Sequence, residues 1–155
     1  ALTYFCAKWH GSHQQMFAFA RSVVQQLHVG HPLWVLIPKA HFERQLIVPQ
    51  RGYWRQASVR QEIMNAYLQA FGTDVGTIRA TEPWELELEM INRNFFAYCL
   101  LFIGRPDEGR LQLRLIGKQP LLPHPWKSLT QYKIVAHGMG FATDDVVPEA
   151  EAVLA

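Results

Sequence analysis

Apolar residues recur at helical spacing in two stretches of the chain. From His13 to Leu27, the residues Met16, Phe17, Ala20, Val23, Val24 and Leu27 form one stripe. Gln14, Gln15, Arg21, Ser22, Gln25 and Gln26 occupy much of the other side, so the pattern predicts an amphipathic helix. Ser12 offers its N-cap, and Gly30-His31-Pro32 stops it. A second helix starts at Ser58, where Gln61 completes a capping box. Val59, Ile63, Tyr67, Ala70 and Phe71 share one face of it, and Gly72 ends it.

Shorter apolar runs read as strands. Leu2–Ala7 is the first, followed by a turn over Trp9–Ser12. Leu33–Ile37 is a second, limited by Pro32 and Pro38, and Gln45–Val48 is another that ends at Pro49. Residues 76–91 support two readings. Pro83 suits the first turn of a helix capped by Thr81 or Glu82, whereas Trp84-Glu85-Leu86-Glu87-Leu88-Glu89-Met90 alternates with period two. The alternation favours a half-exposed strand with an acidic outer face. Phe95–Ile103, a turn over Arg105–Gly109, and alternating Leu111–Leu115 predict an antiparallel hairpin. Pro120, Pro123 and Pro125 mark an irregular stretch anchored by Leu121, Leu122 and Trp126. Ser128 caps a last helix carrying Leu129, Tyr132, Val135 and Ala136, and an acidic tail runs from Thr143.

These elements add up to an α/β or α+β expectation: one compact domain over residues 1–155 with a mixed β-sheet, an N-terminal strand–helix–strand unit and a later antiparallel hairpin. The length of 155 residues and the 49% apolar content fit a folded domain rather than a disordered chain. Cys6 and Cys99 lie in apolar runs and read as reduced core thiols. No run is long enough to span a membrane, and no charged segment followed by an apolar one opens the chain. The expected location is cytoplasmic.

Charge changes the picture. Residues 1–60 carry seven Lys or Arg and a single acid, Glu43, while residues 61–155 carry eight bases and twelve acids. A basic surface facing an anionic partner follows from that split. The densest basic and aromatic segment is Arg44, Arg51, Tyr53, Trp54, Arg55 and Arg60, with Gly52 inside it. The arginines suit phosphates, and Tyr53 or Trp54 suits stacking on an unpaired base. Lys8, His10, Gly11, Ser12 and His13 form a second candidate, an anion site where a strand feeds a helix N-terminus.

Other chemistry is thinner. His10-x-x-His13 and His28-x-x-His31 have no third ligand nearby, so no metal and no cofactor are expected. His10, His13, His41 and His124 are the residues to test for a two-histidine acid/base mechanism on a phosphodiester. Glu85, Glu87 and Glu89 read as a solvated acidic face. The phosphate-loop, three-glycine dinucleotide and zinc-finger signatures are absent.

The functional expectation is a non-enzymatic binding or regulatory protein. Its basic half would contact nucleic acid, as single strands or structured ends, or an acidic protein. A homodimer is compatible with the opposed charges of the two halves. The alternatives are a phosphodiester-processing enzyme using histidines or carboxylate-held metal, and an adaptor that binds protein through Trp54 and the Trp84–Met90 segment.

Overall fold

The computed structural model describes residues 12–117 together with 125 and 126. The chain divides between Thr73 and Asp74 into two compact units. Among the described residues there are five α-helices and no strand, which overturns the mixed-sheet expectation and the α/β class with it.

In the first unit, α1 spans His13–Val24, α2 spans Leu36–Ile47 and α3 spans Ala57–Phe71. Helix α1 begins as its sequence dictates. The Ser12 hydroxyl accepts from the Gln15 N–H, and the Gln15 side chain accepts from the Ser12 N–H. Helix α3 buries Val59, Ile63, Tyr67, Ala70 and Phe71, the face that the spacing marks. Its N-cap is Gln56, two residues before Ser58, and no side chain caps it. Gly72 closes it with φ of +56°, and a Cβ there would lie 2.9 Å from Val29 Cγ1. Glycine is therefore required on two counts.

The expected strand Leu33–Ile37 is instead a 3₁₀ turn, Pro32–Val35, running into α2. The His31 imidazole caps that turn by accepting from the Leu33 N–H, and the Trp34 indole N–H donates to the His28 carbonyl. Pro38 falls in the first turn of α2, where its missing N–H costs nothing. The expected strand Gln45–Val48 is the end of the same helix. A second 3₁₀ turn, Tyr53–Arg55, links α2 to α3.

The second unit is a helical hairpin of α4 (Pro83–Phe102) and α5 (Pro106–Ile116). Glu82 and Glu85 form a capping box around Pro83, and that signal prevails over the period-two alternation of Trp84–Met90. Glu, Leu and Met are strong helix formers, and residues 84–90 contain no β-branched side chain. From Phe95 to Leu100 every residue is buried, so the helix presents no polar stripe there and its run resembles a core strand. Where a hairpin turn is expected, Arg105 N–H donates to the Leu100 carbonyl and Gly104 N–H to the Leu101 carbonyl, a Schellman ending with Gly104 at φ +80°. Helix α5 buries Gly109, Gln112, Leu113 and Ile116, a helical set that the alternation of Leu111, Leu113 and Leu115 conceals.

One buried guanidinium organises this unit. Arg93 is 0% exposed, and all five of its N–H donors are used. Nε and Nη2 reach Glu89, Nη1 reaches Gln112 Oε1 and the Val75 carbonyl, and Nη2 also reaches the Thr77 carbonyl. Glu89 in turn accepts from the Arg79 and Ala80 N–H groups. The segment before α4 is thereby tied to both helices. Trp126 is buried against Tyr98 and donates its indole N–H to Asn94.

The expected strand Leu2–Ala7, the residues 120–124, the helix after Ser128 and the acidic tail lie outside the described residues.

Candidate functional site

The division into units keeps the charge asymmetry. Residues 1–73 hold seven Lys or Arg and two acids, and residues 74–155 hold eight and eleven. The two acids of the first unit are Glu43 and Glu62. Arg21 makes a two-pronged bond to Glu62, with Nε to Oε1 at 2.6 Å and Nη2 to Oε2 at 3.0 Å. Four of the other bases, Arg44, Arg51, Arg55 and Arg60, lie along the end of α2, the loop after it and the first turn of α3.

These four arginines do two different jobs. Arg44 turns inward. Its guanidinium lies 4.3 Å from the centre of the Tyr53 ring and donates to Gln45 Oε1, the Val48 carbonyl and Gln50 Oε1. Gln45 grips the same loop by accepting from the Gln50 N–H and donating to the Gln50 carbonyl. Arg51, Arg55 and Arg60 are exposed, and no described carboxylate pairs with them. Arg60 and Glu62 sit two residues apart on α3, hence roughly 160° apart around its axis, so the acid faces away from the arginine flank.

Tyr53 and Trp54 are not surface rings. They are 6% and 9% exposed and meet edge to face at 5.5 Å. The Tyr53 hydroxyl reaches His41 Nδ1 at 2.5 Å, and His41 Nε2 reaches Glu62 Oε2 at 2.9 Å. The ionised carboxylate only accepts, so Nε2 carries the proton in its bond to Glu62. Phe17 of α1 packs its edge on His41 at 4.8 Å and lies under the Arg21 guanidinium. Burial by itself would raise the Glu62 carboxyl. The bonds from His41 and Arg21, together with their charges, outweigh it and hold the group down at about 2.

A string from Arg21 through Glu62 and His41 to Tyr53 thus fastens α1, α2, α3 and the Tyr53–Arg55 turn together. Arg51 and Arg55 flank the anchored tyrosine. Gly52, between Arg51 and Tyr53, takes φ of +78°, the left-handed bend that turns the loop into its 3₁₀ turn. The arginine loop is preorganised from beneath.

The remaining predicted residues are placed as follows. Ser12 is engaged in capping α1, and His13 is the first residue of that helix, its Nε2 buried and without a hydrogen-bond partner among the described residues. Lys8, His10 and Gly11, the rest of the expected anion site, lie outside the described residues, as do Cys6 and His124. His41 is 2% exposed and has both ring nitrogens engaged. His28 and His31 stack edge to face and support the turn before α2. Burial pushes the Cys99 thiol far up, so it is held protonated. Among the described residues no three His, Cys, Asp or Glu side chains gather to hold a metal ion, and no helix is long and apolar enough to cross a membrane. Glu85 serves as a cap and Glu89 as the partner of Arg93.

Sequence reasoning passes over Gln45, Glu62 and Arg21, which position the site. The one available signal is that Glu62 is nearly alone as an acid in a basic stretch, and a lone acid there marks a paired one. The chain matches no family model, no curated protein and no solved structure.

Proposed function

We propose that the first unit is a non-enzymatic binding module for an anionic macromolecule, nucleic acid foremost, with Arg51, Arg55 and Arg60 as its contact groups. One observation carries the reading. Three exposed arginines, none paired with a described carboxylate, surround a turn whose tyrosine is bonded into the core. Guanidinium groups presented this way suit phosphate oxygens, and their rigid base lowers the entropy lost on binding. The uncapped start of α3 adds partial positive charge beside them. A histidine-driven reaction draws no support from His41, which is enclosed with both nitrogens engaged.

The test is a titration against labelled DNA and RNA at low and moderate salt. Binding that weakens steeply with salt, and weakens further in Arg51→Ala/Arg55→Ala, supports the reading. No binding at micromolar protein overturns it.

A second reading, protein contact through the second unit, rests on Trp84, which is 67% exposed at the start of α4 with exposed Leu88 one turn on. Salt-insensitive association lost in Trp84→Ala would favour it.

A further inference from the structure

The burial of Tyr53 and Trp54 bears on which nucleic acid the arginine surface suits. Proteins that hold single strands gain much of their affinity by stacking bases on exposed aromatic rings, about 1–3 kcal/mol per base. Both rings beside the arginines are enclosed. Tyr53 is capped on its face by Arg44 and held through its hydroxyl by His41, and Trp54 packs on Tyr53. Among the described residues of the first unit no Phe, Tyr or Trp is exposed. Among the described residues, the arginine surface therefore offers charge and guanidinium geometry without an exposed stacking platform.

For such a surface, the density of phosphates decides. A duplex carries about one charge per 1.7 Å of axis, and each phosphate neutralised releases more counterion from it than from a single strand. Side-chain contacts to phosphate carry no base information. Building on the arginine reading above, we propose that the partner is the phosphate backbone of a double-stranded nucleic acid, bound without regard to sequence.

The experiment uses the full chain, a short labelled duplex and each of its two strands separately, with anisotropy read over a salt series and tryptophan emission read in parallel. The duplex is expected to bind several-fold more tightly than either strand, and equally well when its sequence is scrambled. With three phosphates engaged, duplex affinity should fall roughly 40-fold between about 50 and 200 mM salt, and Arg55→Ala should reduce the log–log slope by about 0.9. Tryptophan emission should stay unchanged on saturation with a single strand.

A single strand bound as tightly as the duplex, or quenching tryptophan, overturns this inference. The arginine reading survives that result if Arg55→Ala still weakens binding. No binding to any of these nucleic acids or to heparin, or binding untouched by Arg51→Ala/Arg55→Ala/Arg60→Ala with folding intact by circular dichroism, overturns both. Heparin bound in place of either nucleic acid overturns the duplex inference alone and directs the arginine surface to a different acidic polymer.

Discussion

In the first unit the central polar group is an imidazole held between a carboxylate and a phenol. In the second it is a guanidinium held by one carboxylate and three neutral oxygens, those of Val75, Thr77 and Gln112. Both are buried and both are satisfied, yet they answer differently to acid. The first string depends on Glu62 being ionised. The second keeps three acceptors that no proton removes from Arg93. The string in the first unit thus hangs on one carboxylate, whereas neutral oxygens share the hold on Arg93 in the second.

The sharpest way to break the comparison is Arg93→Met. It removes the bonds to Glu89, Gln112 Oε1 and the Val75 and Thr77 carbonyls from the interior and should cost about 3–5 kcal/mol, read by urea unfolding. A loss under about 1 kcal/mol would mean that the guanidinium does not hold the segment before α4.

Glu62→Gln comes next, at about 2–3 kcal/mol near neutral pH. The wild-type carboxyl sits at about 2 against an ordinary 4.5, so the folded chain takes up this proton less readily than the unfolded one. Its contribution is complete above the ordinary value and drains away as pH falls from about 4.5 through about 2. Stability profiles of the two proteins should converge across that window. Parallel profiles would remove Glu62 as the source of acid sensitivity.

Tyr53→Phe keeps the ring and deletes the hydroxyl, leaving His41 Nδ1 without that partner, and should cost about 1–2 kcal/mol by thermal or chemical unfolding. Gly52→Ala is the mildest. No atom lies within 4 Å of the new Cβ, so the cost is that of the left-handed backbone alone, about 1 kcal/mol. If Gly52→Ala were the more damaging of the two, the bend rather than the His41 bond would be the main constraint on the arginine loop.

The sequence displays α1 and α3 because their buried faces are wholly apolar. Elsewhere one physical reason recurs where it misleads. His41, Asn92, Arg93, Asn94 and Gln112 are buried polar residues. Each breaks the helical period of apolar positions and leaves short apolar runs that resemble strands. In α5, Gln112 takes a core position and leaves the leucines alternating around it. In α2, His41 does so between two runs that read as separate strands. The side chains that tie the helices together are therefore the ones that hide them. At the site, the arginines are evident from composition. Their division into one clamp and three exposed groups is not, because it depends on where Arg44 turns, and nothing in its neighbours' identities gives that direction.

The inward turn of Arg44 has a consequence for how this surface can change over generations. Arg44, Gln45, Gly52 and Tyr53 shape the loop, while Arg51, Arg55 and Arg60 stand outside the packing. Substitutions at the second set alter what the surface attracts at little cost to the fold, usually within about 0.5 kcal/mol. Substitutions at the first set disturb the fold before they alter recognition. Scaffold and exposed charge are thus separable by residue: exchanging three side chains changes the charge this surface presents and leaves its loop in place.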